Sequence, residues 1–211
     1  HRPGSQRSQK RFSLERDIEY HMYVRDAKNR DEVWLLDHIE EMELDETAFR
    51  SRDYVIAMDE ETGERAGFGR IRIHKTDDGE VCELTSIGVL PEWRGQGVGA
   101  HVVERLVTTA RDDGFEAVYS LTDETDYLAQ FGFSAVEPAR LPAVLADRLE
   151  RKQENLAAGA VPMRIDTDRF RMPGRLREAF KSARSEAETE TEPEEGPEDF
   201  GIDPDEATYK Y

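Results

Sequence analysis

The stretch LTSIGVLPEWRGQGVGAHVVERL, residues 84–106, restricts the fold of this chain more than any other part of it. Its first third reads as a strand, and its last third steps Val98, Val102 and Leu106 along one helical stripe. Between them Gly95, Gly97 and Gly99 fall within a few residues of one another. Each glycine costs about 1 kcal/mol where regular structure would suffice, so three together need a reason. Glycine removes the side chain where a backbone must approach a ligand closely, and it opens backbone angles closed to other residues. The amides from Gln96 to Ala100 then project from a helix N-terminus, whose dipole favours an anion of pyrophosphate size. A ligand-free strand-to-helix turn is the alternative.

Two familiar phosphate loops do not fit. The dinucleotide fingerprint G-x-G-x-x-G fails because Gly95-Gln96-Gly97-Val98-Gly99 runs on into Ala100, His101 and Val102. The nucleoside-triphosphate loop needs G-K-[ST], and no Lys lies nearby. What remains is Arg94-x-x-Gly97-x-Gly99, preceded by Val89-x-Pro91, which resembles the signature of the GNAT acetyltransferase superfamily. Residues 127–133, YLAQFGF, resemble that family's late helix-to-strand element. The resemblance runs from about residue 54 to residue 137, and more loosely from residue 20. The segment LTDETDYLAQFGFSAVEPARLP, with the later VPM, is similar to the amino-acid-acetylating branch that includes bacterial N-acetylglutamate synthases.

The resemblance implies an α/β (α+β) fold with a mixed, mostly antiparallel central sheet and helices on both faces. It implies acetyl-CoA as co-substrate and a small amine, an amino acid in the narrower branch, as acceptor. The loop Arg94, Gly95, Gln96, Gly97, Val98, Gly99 and Ala100 would hold the pyrophosphate, with Arg94 alternatively a surface charge flanking the helix. Ile87, Gly88 and Val89 would pair with the pantetheine arm, and the Val89 N–H would meet the thioester oxygen. Thr122 and Asp123 fall where relatives contact pantetheine or substrate, or else form a turn and helix cap. Trp34, Leu35, Leu36 and Ile39 lie on a helix that lines the acceptor pocket in relatives. A rival reading keeps the coenzyme grip without transfer, as a sensing module; another is protein N-acetylation.

Two residues are candidates for proton transfer. Strand alternation places Glu83, Thr85 and Ile87 on one face, where a Glu83 carboxylate could relay a proton from a bound ammonium; a solvated strand-end charge is the alternative. Many family members carry their general-acid Tyr four residues before the Gly of the late element. Here that position is Leu128, and Tyr127 precedes it. Tyr127 serves as the acid if the helix is rotated, or packs as an aromatic under the coenzyme.

The rest of the chain divides around this centre. Residues 1–17 read as a flexible basic arm, residues 18–166 as the acetyltransferase-like domain, residues 167–184 as a helical extension and residues 185–211 as an acidic disordered tail. Within the domain, strands are expected over 18–26, 53–58, 65–75, 81–90, 116–121, 133–137 and the VPMRID run. Helices are expected from Asn29, with Val33, Leu36 and Ile39 inward, over 45–51, after the loop as far as Gly114, over 124–131 and in LPAVLADRLERKQENL.

Charge narrows the partners. The net charge is −18, and 23 of the 29 basic residues are Arg. Nucleic acid is not expected as a partner, because phosphate binding needs a basic footprint. An acidic, Lys-poor surface fits a halophilic protein that unfolds at low salt. Cys82 is the only cysteine, which excludes an intrachain disulfide and a thiolate metal cluster and fits a cytoplasmic location; it reads as a small core side chain. His38 with Glu40 and Glu41 lacks metal-ligand spacing, and His101 reads as a surface residue. No run approaches the roughly 18 apolar residues of a membrane span. A homodimer through the C-terminal strand and helix is left open.

Overall fold

The computed structural model describes residues 21–189. Seven strands form one sheet: β1 (Met22–Asp26), β2 (Tyr54–Asp59), β3 (Arg65–Thr76), β4 (Gly79–Val89), β5 (Ala117–Thr122), β6 (Ser134–Ala135) and β7 (Val161–Asp166). Their spatial order is β1-β2-β3-β4-β5-β7-β6. Every neighbouring pair is antiparallel except β4 and β5, which run parallel. The mixed, mostly antiparallel sheet expected from the sequence is the one observed.

Helices cover both faces. On one face, α1 (Glu32–Glu41) buries Leu35 and Ile39 against Tyr54, Ile56, Met58 and Phe68. Beside it, α4 (Ala143–Asn155) lays Leu145 and Leu149 against Leu121, Leu141 and Ala160. On the other face, α2 (Val98–Asp112) sets Val102 and Leu106 against Val55, Ala57 and Leu84. Each such side chain contributes about 1.5–3 kcal/mol by leaving water. Gly114, at φ 92°, turns the chain out of α2 as a left-handed cap. Three shorter helices follow: α3 (Thr125–Ala129), α5 (Gly174–Lys181) and α6 (Glu186–Thr189).

Some sequence expectations shift. Val33 is 71% exposed, and Leu35 takes its place on the inward face of α1. Residues 45–51 form turns, with one 3-10 turn at Ser51–Asp53, because the loop is held from outside itself. The Arg70 guanidinium donates to the carbonyls of Thr47 and Ala48, which draws the loop onto the sheet without helical geometry. Ser185 is buried, and α6 begins at the next residue. The basic arm, residues 18–20 and the tail beyond residue 189 lie outside the described residues.

The most consequential irregularity is in β4. Phe68 pairs with Gly88 and Arg70 with Thr85, so two steps on β3 oppose three on β4. Ser86 absorbs the extra residue at φ 54°, and its hydroxyl donates to the Asp45 carbonyl at 2.6 Å. Glu83 and Thr85 therefore face α4, whereas Ile87 faces α2. A Cβ built on Gly69 would collide with Ile87, Val102 and Leu106 together. The expectation that Glu83, Thr85 and Ile87 share one face is corrected here: simple alternation holds only without a bulge.

Candidate functional site

The glycine loop follows a 3-10 turn at Pro91–Trp93 that plants the Trp93 ring in the core. Gly95 and Gly97 sit at φ 75° and 78°, left-handed angles that favour glycine, and Gly97 caps α2. Among the described residues, no hydrogen bond takes up the amides of residues 95–100. These amides and the α2 dipole bound a cavity of about 220 Å³ whose other walls include Val89, Tyr127, Gln130, Arg175 and Leu176. Such a cradle suits a diphosphate. Arg94 lies half-buried at its edge, and its Nε donates to the Val89 carbonyl at 3.2 Å.

The strand leading into the loop is open along one edge. β4 and β5 pair only at Glu83–Tyr119 and Leu84–Ser120, then diverge. The Leu90 amide donates to the Ala66 carbonyl on the β3 side. Alternation therefore turns the Val89 N–H and C=O to the opposite edge, into the gap. Ile87, Gly88 and Val89 thus border a slot with a main-chain donor directed into it.

A second cavity, of about 300 Å³, lies beyond that slot. Thr85, Ser86, Ile87 and Thr122 line it, with Lys152 reaching in from α4 and Glu43, Asp123 and Glu124 also on its wall. Ile87 borders this cavity and Val89 borders the loop cavity, two residues apart on β4. The Lys152 ammonium donates to the Leu121 carbonyl at the point of divergence. Burial pushes Lys152 below its ordinary pKa, against the pull of Glu83 and Asp45.

Glu83 is fully buried behind this cavity in a charged cluster. Arg148 donates to it from Nε at 2.7 Å and from Nη2 at 3.0 Å, and His74 Nε2 lies 2.8 Å from the same carboxylate. Arg148 also donates to Asp45 at 2.7 Å. Burial alone would raise the Glu83 carboxyl, but the hydrogen bonds from His74 and Arg148 outweigh it and hold Glu83 below the usual range. Asp45 is held at about 2, where hydrogen bonds from Thr47 and Arg148 overcome the effect of burial. Arg72, opposite Glu83 on β3, has a buried guanidinium nitrogen, Nη1, without a hydrogen-bond partner among the described residues. Its pKa is depressed by burial and by the neighbouring Arg148 and Arg70. Arg72, Arg148 and Lys152 thus meet Glu83 and Asp45 in one cluster, with Asp123 also acting on Lys152.

The other sequence candidates sort themselves around the two cavities. Tyr127, on α3, borders the loop cavity and meets Phe131 edge-on at 5.2 Å, while Leu128 is buried in the core. Thr122 is buried at the end of β5 and borders the second cavity; its hydroxyl accepts the Glu124 amide at 2.9 Å. Burial pushes the Cys82 thiol up to about 12, so it is an inert core group. His101 is not the surface residue expected from the sequence: the Phe180 ring stacks on it at 3.9 Å and buries it. Among the described residues no group of acidic, His or Cys side chains could hold a metal ion, and no helix is long and apolar enough to cross a membrane.

Sequence reasoning passed over Arg148, Lys152, Asp45, Arg72 and Arg175. One signal was present. Leu145, Arg148, Leu149 and Lys152 follow the i, i+3, i+4, i+7 spacing, so an Arg and a Lys occupy the inward stripe of α4.

Known proteins share this fold. N-acetylglutamate synthase from Neisseria gonorrhoeae, solved with coenzyme A and N-acetyl-glutamate, superposes with TM-score 0.58 at 16% identity, covering 69% of this chain and 35% of that one. Rv2747 from Mycobacterium tuberculosis, in complex with CoA, gives TM-score 0.56 at 21% identity, covering 68% and 98%. In sequence, an amino-acid acetyltransferase of M. tuberculosis is 32% identical over 92 residues, 44% of this chain and 51% of the relative. An amino-acid acetyltransferase of Pseudomonas fluorescens is 33% identical over 75 residues, 35% and 17%. The chain thus spans about half or less of the length of these curated relatives. The model of the acetyltransferase (GNAT) family matches residues 17–133, from β1 through the glycine loop to the end of α3 and the Gly-Phe pair after it. By that match, and by the loop and divergent strands it encloses, the chain belongs to the acetyltransferase (GNAT) family.

Proposed function

We propose that the chain transfers the acetyl group of acetyl-CoA to the amine of a small carboxylate-bearing acceptor, an amino acid. The observation that carries this reading is the pair of cavities that border β4 two residues apart, at Val89 and at Ile87, where β4 and β5 part. One is walled by main-chain amides, and the other by an inward cation, Lys152, beside the cluster of Glu83, Asp45, Arg148 and Arg72. The relatives named amino-acid acetyltransferases support the same choice.

In this scheme the amides of residues 95–100 and Arg94 hold the diphosphate, and the free edge of Ile87–Val89 aligns the pantetheine arm. The Val89 N–H stabilises negative charge on the thioester oxygen as the amine, its ammonium proton given up to solvent in the second cavity, forms the C–N bond and the C–S bond breaks. Lys152, backed by Arg148 and Arg72, attracts the acceptor's carboxylate. Glu43, Asp123 and Glu124 along the wall attract its ammonium. Glu83 acts as the counter-charge that fixes Arg148: the hydrogen bonds it accepts must rearrange before a proton could reach it. Tyr127 supplies the proton to the departing thiolate from the loop side.

Thiol release from acetyl-CoA, measured over proteinogenic amino acids and their decarboxylated counterparts, tests the acceptor class. Release is expected with amino acids and not with the matching alkylamines; equal release from both overturns the carboxylate assignment. Tight CoA binding with no release from any amine would instead identify a sensing module. Tyr127→Phe is expected to lower kcat about 100-fold while KM for acetyl-CoA stays within about twofold. An unchanged kcat would assign the proton to solvent.

A further inference from the structure

The chain beyond β7 does not trail away from the glycine loop; it is fastened over it. In α5 and the residues after it, five contacts reach back to the loop, to the first turns of α2 and to the segment before β1. Phe180 stacks on His101. Arg177 donates to both carboxylate oxygens of Glu104, at 2.9 and 2.8 Å. The Gln96 side chain donates to the Arg184 carbonyl at 2.6 Å and accepts the Arg184 amide at 2.8 Å. The His21 Nε2 lies 2.7 Å from the Ala183 carbonyl. The Leu176 carbonyl sits so close to Gly97 that a Cβ there would lie 2.4 Å from it.

This anchoring sets Arg175, in the first turn of α5, on the wall of the loop cavity. Its Nη2 donates to the Gln130 side-chain oxygen at 3.1 Å, and the Gln130 amide in turn donates to the Tyr127 carbonyl at 2.8 Å. The guanidinium is thus tied to the same short helix that carries Tyr127. Among the described residues lining the cavity, Arg175 is the one cationic side chain. Arg94 lies outside the lining, with its Nε committed to the Val89 carbonyl. A diphosphate held by the amides and by Arg94 at the loop's start, in a chain of net charge −18, gains further from a counter-charge inside the cavity itself.

We infer that Arg175 is a coenzyme-binding residue: it faces the loop amides across the cavity and ion-pairs with the diphosphate of an acyl-CoA. The inference rests on the reading of the loop as an acyl-CoA site, but it assigns a separate residue from a separate element. The C-terminal segment then completes the coenzyme site as its second wall.

Calorimetric titration of the full chain with CoA and with 3′-dephospho-CoA tests it without reference to turnover. Arg175→Ala is expected to weaken both ligands about tenfold and to flatten the salt dependence of binding. Arg175→Glu should weaken them further, while Arg52→Ala, at an exposed site on the 3-10 turn before β2, leaves both unchanged. Because the Arg175 side chain is exposed, its variants should melt with the wild type. Unchanged affinity in Arg175→Ala overturns the inference. A loss seen with CoA but not with 3′-dephospho-CoA also overturns it, because it moves Arg175 to the ribose phosphate. If the wild type itself binds neither ligand, the acyl-CoA reading fails first, a result distinct from a silent Arg175 variant.

Discussion

Replacing Glu83 with Gln should lower the unfolding free energy by about 3–5 kcal/mol, because it removes one member of a buried charge cluster and strands the others. Arg148 would keep Asp45, but Arg72 and Lys152, both part-buried, would lose the carboxylate at the buried centre of the cluster. Urea unfolding at neutral pH measures the loss. Its pH dependence gives an independent check. Glu83 and Asp45 both have depressed pKa values in the folded state, Asp45 at about 2. Their contribution is therefore fully present above the unfolded-state values, roughly pH 4, and is lost as pH falls from there toward the folded values. The difference between wild type and Glu83→Gln should narrow between pH 7 and pH 3. An equal difference at both would remove the charge cluster as the cause.

Gly97→Ala is expected to cost at least tenfold in CoA affinity and to release the segment around α5. Two effects act at one carbon. The left-handed angle costs a residue with a Cβ about 1–2 kcal/mol, and the new methyl would overlap the Leu176 main chain, which cannot rotate away as a side chain would. Gly95→Ala is the natural comparison, since its angle is nearly the same but no atom of the described residues lies within 4 Å of a Cβ built there. Hydrogen exchange should show residues 174–185 deprotected in Gly97→Ala and not in Gly95→Ala. Equal protection in the two variants would mean that the C-terminal segment is held independently of the loop.

The sequence displayed the loop because three glycines in a row of alternate positions have few explanations, and the α2 stripe beside them has the helical period. It displayed the sheet because β2, β3 and β4 are separated by short polar turns. It hid the charged cluster, because Glu83, Asp45, Arg72 and Arg148 come from distant segments and meet only through tertiary packing. It hid the bulge as well, since Ser86 is an ordinary strand-neighbour residue until the pairing with β3 is counted. The burial of His101 was equally illegible, depending on a ring 79 positions further along the chain.

The extra residue at Ser86 changes the phase of β4 partway along its length. Upstream, even a conservative change at an odd-numbered position alters a polar chamber; downstream, the same parity addresses the oil beneath α2. Anyone reshaping acceptor preference by counting every second residue from Glu83 would arrive at Ile87 and loosen the helix interface instead. Deleting that single residue would bring the strand back into step and turn the Ile87 side chain onto the face that carries Glu83 and Thr85, narrowing the cavity it now only borders.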